Sequence, residues 1–279
     1  MTNPHLAKLL GLGPVRRFLE RSGDNSALRR FYEKCSGSAR VHETMDAARS
    51  AIRHHRPETR GHLERNHIGS NFHLSAELRV SDYPALFWLR DIAASSCLKV
   101  FDFGGGVGQT FVSFSRLIPD DRLTSWTVQD LPEVILQAGE YFPTDTPGKI
   151  EFTSSLADAS DCNVLYVAGA LHYWERPMSD LLRELGASPT HVIINRSPMR
   201  AEGESYCTVQ EGNYWAVACR VRSLDSLKDE MKSEGYEMVD SWEDPEKSLK
   251  LPWLPAYSCS YRGAYFRKIE NAPTQRFTS

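Results

Sequence analysis

Residues 98–110, LKVFDFGGGVGQT, constrain the fold more than any other stretch of this chain. Leu98, Val100, Phe101 and Phe103 form an apolar run of strand length. Gly104, Gly105 and Gly106 end that run, and Gly108 follows one residue later. Packing alone gives no reason for four glycines in five positions. A turn that bends sharply and lets a ligand approach its backbone does give one. Thr110, Phe111, Phe114 and Leu117 then resume a helical spacing, with Pro119 past its end. Strand, glycine turn and helix start together predict a nucleotide-type binding site.

Spacing separates the nucleotides. A dinucleotide fingerprint G-x-G-x-x-G needs a glycine at position 109, where Gln109 stands. Asp102, Gly104, Gly106 and Gly108 instead make D-x-G-x-G-x-G. This pattern resembles the first motif of Rossmann-like S-adenosylmethionine (SAM) methyltransferases. In that family the glycine turn passes under the methionine part and ribose of the cofactor.

The rest of the chain extends a strand–helix alternation. Residues 123–128 (LTSWTV) read as a second strand ending at Gln129, Asp130, Leu131 and Pro132. An acid at that end is placed to accept both ribose hydroxyls. Asp130 lies 26 residues after Gly104, against the ~20 usual in dinucleotide folds. It also reads as a helix N-cap, because Pro132, Glu133, Ile135, Ala138 and Phe142 follow, and the two roles are compatible. Residues 149–153 form a third strand, leading to Ser155 and Leu156. Residues 164–168 form a fourth, ending in Gly169, Ala170, Leu171, His172, Tyr173 and Trp174. Met178, Leu181, Leu182 and Leu185 then share one helical face. Residues 190–195 form a fifth strand, followed by Arg196. Segments 206–210 and 214–222 read as a hairpin around Glu211-Gly212-Asn213. A helix with Leu224, Leu227 and Met231 inward precedes strands at 235–242 and 261–267. The fold class expected is α/β: a doubly wound, mostly parallel, seven-stranded sheet with a helical N-terminal region. The division expected is a helical cap or dimerisation region at 1–82, a SAM-binding domain at 83–270 and a polar tail at 271–279.

Within the N-terminal region Val41, Met45, Ala48 and Ile52 recur at helical spacing. His54, His55, His62, His67 and His73 invite a metal reading. No carboxylate or cysteine falls at ligand spacing and Arg56, Arg60 and Arg65 interleave them, so no metal site is read here. Residues 1–96 hold 15 Lys and Arg against 10 Asp and Glu, and the remainder 18 against 26. That mild asymmetry makes no basic stripe, and no nucleic-acid partner is expected. The six cysteines include no two within four residues of each other, which fits reduced thiols in a cytoplasmic protein. No apolar run approaches the ~20 residues of a transmembrane helix, and no signal-peptide pattern opens the chain.

Three stretches line up in order: FDFGGGVG, VQDLPEVI and GALHYW. The second resembles the DLP stretch of plant and bacterial hydroxyl-methylating O-methyltransferases. The third resembles their catalytic stretch, in which a histidine two residues before a tryptophan is the general base. Together with SDYPALFWL, the TVQ-containing hairpin and GYEMVDSW, the motifs also resemble a poorly characterised bacterial methyltransferase family. Its members are often associated with surface-polysaccharide gene clusters. The resemblance implies SAM as cofactor, held by Asp102, Gly104, Gly105, Gly106, Gly108, Asp130, Leu131, Ser155, Leu156 and Gly169. It implies His172 as base and a small-molecule or saccharide acceptor. The family histidine is usually followed by Asp-Trp, and here Tyr173 replaces that Asp.

Other readings stay open at this level. His172 also suits a capping or locally hydrogen-bonded role. Arg196 is placed to hold an anionic group of the acceptor, or to pair with Glu202 or Glu204. Tyr173, Trp174, Tyr206, Tyr214 and Trp215 are candidate pocket walls or ordinary packing. A nicotinamide-dependent oxidoreductase and a non-catalytic SAM-binding protein are the competing functions.

Overall fold

The computed structural model describes residues 27–28, 31, 40–55, 77–141, 149–211, 215–251 and 254–269. Helix α1 (Met45–His55) comes first, then α2 (Asp82–Ser95). Strand β1 (Leu98–Phe103), α3 (Gln109–Ser115), β2 (Leu123–Gln129), α4 (Pro132–Tyr141) and β3 (Ile150–Thr153) make the first half of the sheet and its covers. The second half contains β4 (Val164–Ala168), α5 (Met178–Glu184) and β5 (His191–Arg200), then the hairpin β6 (Tyr206–Glu211) and β7 (Ala216–Ser223). Helix α6 (Leu224–Ser233), β8 (Tyr236–Leu249) and β9 (Cys259–Lys268) complete it.

Five strands pair in parallel in the order β3-β2-β1-β4-β5. Strand β9 then runs antiparallel to β5, and β8 antiparallel to β9. These are the seven strands expected from the sequence, and the hairpin is an addition to them. It branches from the far end of β5, where Met199 pairs with Arg222 and Arg200 with Ser223.

Adjacent residues in the central strands bury on opposite faces, which is why the strands read as nearly continuous apolar runs. Val100, Tyr166 and Ile193 face one cluster with Leu89 and Ile92 of α2 and Phe111 and Phe114 of α3. Phe101, Leu165 and Ile194 face the other, with Leu181 of α5 and Leu227 and Met231 of α6. Burial of such a side chain is worth about 1.5–3 kcal/mol. Both faces are covered, so the sheet is doubly wound.

Strands β5 and β8 run beyond the ends expected, residues 195 and 242. Each continues past an irregularity in its pairing with β9: between Ile194 and Ser197 in β5, and between Asp244 and Ser248 in β8. A periodic pattern stops at a bulge, although the strand does not.

The hairpin has its own small core. Met45 and Ala48 of α1 pack on Cys207, Val209, Ala216 and Ala218. Just before α1 the chain is extended: His42 and Cys207 exchange backbone hydrogen bonds, and Thr208 Oγ1 donates to the Arg40 carbonyl. Val41 therefore belongs to this extended segment rather than to the helical face read with Met45. Residues 1–26 of the region expected to be helical, His62, His67 and His73, Tyr214 and the polar tail lie outside the described residues. No helix among the described residues is long and apolar enough to cross a membrane. The five described cysteines are free thiols.

Candidate functional site

The glycine turn joins β1 to α3 at the carboxyl edge of the sheet, the edge where open α/β sheets take ligands. A methyl group on Gly104 would lie 2.3 Å from Cβ of Ala170, so this glycine lets the turns after β1 and β4 meet. Gly106 has φ +63° and nothing within 4 Å of the Cβ it lacks. It combines a left-handed backbone with free volume above it. The four glycine amides of the turn are spent within the protein. Gly104 and Gly105 donate to the Gln129 carbonyl, Gly106 donates to Asp130 Oδ2 at 2.8 Å, and Gly108 donates to the Gly105 carbonyl.

Asp130 follows β2 and faces this turn. Its Oδ1 accepts the Leu131 N–H at 2.7 Å while Oδ2 holds Gly106. Burial raises its pKa, opposed by those two backbone donors. Each oxygen keeps a lone pair for a further donor such as a hydroxyl. Val107 packs on Val134 and Ala138 of α4, locking the turn against the helix that Asp130 precedes.

Asp102 lies beneath the turn. It is fully buried, and a methyl group on Gly105 would sit 2.6 Å from its carboxyl carbon. Trp126 Nε1 donates to Oδ2 at 3.1 Å, and Oδ1 has no hydrogen-bond partner among the described residues. Burial pushes its pKa up to about 7. Leu131 is exposed. Ser155 caps the short turn Leu156–Ala159, its hydroxyl accepting the Ala157 N–H. Leu156 packs against the buried core. Gly169 donates its N–H to the Asn195 carbonyl, binding the end of β4 to β5.

His172 sits in a single 3-10 turn (Leu171–Tyr173) after β4 and is buried. Its ring centroid is 4.0 Å from that of Tyr173 and 6.2 Å from that of Tyr261 on β9. Tyr173 donates its hydroxyl to Gln210 Oε1 at 2.7 Å, and Gln210 Nε2 donates to the Tyr261 hydroxyl. One glutamine of the hairpin thus joins the two phenols beside the histidine. Burial raises the pKa of both phenols, which keeps them neutral. Trp174 stands edge-on to Phe103 and donates Nε1 to the Pro177 carbonyl, so its ring is engaged in packing.

Three arginines hold the loop that follows. Arg222 of β7 donates to the carbonyls of Trp174 and Arg176 at 2.9 and 2.6 Å. Arg220 donates to the Glu175 carbonyl, and Arg49 of α1 pairs with the Glu175 carboxylate at 2.8 Å. Arg222 is itself buried, which pulls its pKa down to about 10.

Arg196 sits in the β5 bulge with φ +52°. Its guanidinium pairs with the buried carboxylate of Asp82, the first residue of α2. Asn195 Nδ2 reaches the same oxygen at 3.3 Å, and Asn195 Oδ1 accepts from Trp242 Nε1 at 3.1 Å. The sequence-adjacent acids Glu202 and Glu204 are not the partners of Arg196, because the bulge turns it toward the start of α2 instead. Asp82, Asn195, Gln210, Arg222, Trp242 and Tyr261 are all absent from the sequence-based site. Each comes from a long-range contact with no local spacing to mark it; Asp82 reads only as a helix start.

No family model and no curated protein matches the chain. Solved structures that resemble it include a 1,6-didemethyltoxoflavin-N1-methyltransferase from Burkholderia thailandensis, 16% identical, covering 69% of this chain and 80% of its own, with a TM-score of 0.45. A magnesium protoporphyrin IX methyltransferase from Synechocystis is 10% identical, covering 67% and 81%, at 0.46. An S-adenosylmethionine dependent methyltransferase from Mesorhizobium loti is 17% identical, covering 68% and 98%, at 0.44.

Proposed function

We propose that this chain is a SAM-dependent methyltransferase acting on a hydroxyl of a small-molecule or saccharide acceptor, with His172 as general base. The observation that carries the reading is the turn at Gly106: open space over a left-handed glycine whose N–H is tied to an acid with lone pairs to spare. Such a turn offers a ligand volume and two hydroxyl acceptors, with its glycine amides already engaged. That suits a cofactor with a ribose and no pyrophosphate, and it disfavours a dinucleotide, whose pyrophosphate would draw on those amides.

When bound, SAM supplies a methyl group made electrophilic by its sulfonium. The chain does the rest. Asp130 holds the ribose hydroxyls, and Gly104, Gly105, Gly106 and Gly108 give the backbone room. Asp102 supports the turn from below. Leu131, Ser155, Leu156 and Gly169 border the cofactor. His172 takes the proton from the acceptor hydroxyl, which at its own pKa is a poor nucleophile. Tyr173 and Trp174 border the acceptor beside His172, and Arg196 is turned toward the same edge by the β5 bulge. The hairpin, with α1 packed on it, serves as a cap at the carboxyl edge. The scattered thiols fit the cytoplasm as the working compartment.

The test is transfer of label from methyl-labelled SAM to a panel of hydroxylated small molecules and sugars. Alkali-stable label on oxygen is expected, with no NADH binding by calorimetry. Label on nitrogen alone would contradict the hydroxyl assignment. NADH binding with no SAM binding would favour the oxidoreductase.

A further inference from the structure

Two breaks in strand pairing flank the first half of β9, one opposite Gly263 on the β5 side and one between Ser260 and Tyr261 on the β8 side. On one side β5 bulges between Ile194 and Ser197 and swings Arg196 out of register. On the other side β8 leaves its ladder between Asp244 and Ser248, so residues 245–247 loop out and carry Lys247 with them. Bulges beside a site re-aim side chains, and here both re-aim a cation. Between them stands Tyr261, which pairs with Pro198 on one side and Asp244 on the other. Lys247 Nζ lies 4.3 Å from the Tyr261 ring centroid. That same ring is 6.2 Å from His172.

Arg79, just ahead of α2, completes the group. Its backbone N–H donates to Asp82 Oδ2 at 3.1 Å. Burial and the nearby Arg196 lower its pKa, and burial with Arg196 and Arg79 does the same to Lys247. Arg79 and Arg196 both contact Asp82, and Lys247 stands over Tyr261, the cross-strand partner of Asp244. The carboxylates facing them are Asp82, engaged by Arg196, and Asp244, which accepts the Glu246 N–H. Neither the Lys247 ammonium nor the Arg79 guanidinium forms an ion pair or side-chain hydrogen bond among the described residues. Three cations thus meet two carboxylates, and Arg79 and Lys247, though partly desolvated by their surroundings, are still exposed residues.

We propose that Arg79, Arg196 and Lys247 form an oxyanion subsite, and that the acceptor is a small molecule bearing a carboxylate or phosphate as well as the hydroxyl to be methylated. This rests on the methyltransferase reading and adds the acceptor's charge to it. Charge-assisted contacts from guanidinium and ammonium groups would hold the anion. The hydroxyl would then lie on the His172 side of Tyr261.

The test uses the full chain saturated with S-adenosylhomocysteine (SAH), titrated calorimetrically at low salt with inorganic phosphate and, separately, with acetate. Binding of at least one probe is expected, and the tighter one tells phosphate from carboxylate recognition. Lys247→Gln and Arg79→Gln should each weaken it about tenfold, and added chloride should weaken it further. SAH affinity and melting temperature, read on the same samples, should stay at wild-type values in both variants. SAH binding with no oxyanion binding overturns the subsite, as does oxyanion binding untouched by either substitution. Loss of SAH affinity in the variants also overturns it, since the cluster would then hold the cofactor's own carboxylate. Failure of the wild-type chain to bind SAH is a separate result: it removes the methyltransferase reading, and the subsite with it.

Discussion

Gly106 and Asp130 act as one unit, because the glycine N–H is bound by the acid that is proposed to hold the ribose. Asp130→Ala should therefore weaken SAH binding by about 1.5–3 kcal/mol, the scale of hydrogen bonds to a charged group, and unchanged affinity by calorimetry would remove the acid from the site. Asp102 behaves differently. Its folded pKa, about 7, lies above its ordinary value of 3.8 because it is buried. The stability it contributes is complete below the lower value and is lost as pH rises through the upper one. Wild-type protein should lose up to a few kcal/mol between pH 4 and pH 8 from this group, and Asp102→Asn should flatten that slope in urea denaturation. An unaltered slope would mean that Asp102 is ionised throughout. For His172, the general-base reading expects His172→Ala to lower turnover ~10²–10⁴-fold. SAH affinity should hold, and the pH–rate profile should lose its ascending limb. Normal turnover with a lower melting temperature would make the histidine structural. Tyr173 is a poor substitute base, since burial keeps its hydroxyl neutral and Gln210 accepts its proton-bearing side. At this scale the glycine turn between β1 and α3 was legible because its spacing is local. The partner of Arg196 was not, because a bulge decides where that side chain points.

The β6–β7 hairpin is the element that contacts Tyr173 and the loop after it. Its sequence signal was local and clear, two extended segments around Glu211-Gly212-Asn213. Its contact with the loop after His172 was not legible, because Arg222 reaches the carbonyls of Trp174 and Arg176 across the fold. Arg222→Leu removes both charge-assisted bonds while keeping an apolar stem. We expect a loss of roughly 2–4 kcal/mol in stability and faster amide exchange through residues 172–176. Exchange unchanged in that loop would show that the hairpin does not hold it. With SAM and an acceptor bound, exchange should slow in residues 205–222 as well as in the glycine turn. Protection confined to the turn would count against a cap.

Over the whole molecule, the seven sheet strands could be read because each central one is an apolar run bounded by a glycine, proline or acidic turn. The extensions of β5 and β8 could not, since both lie beyond bulges where periodicity fails. On the proposed reading, the residues assigned to the cofactor follow from local sequence, while those assigned to the acceptor come together from β5, β7, β8, β9 and the start of α2. The most direct measurement of the central claim is calorimetric titration of SAH into wild-type protein and Gly106→Val. The account predicts a saturable site in the wild type and none in a folded variant, because a β-branched side chain would fill the open space over the turn and oppose its φ of +63°. SAH binding that survives Gly106→Val at wild-type affinity would place the cofactor elsewhere and contradict it.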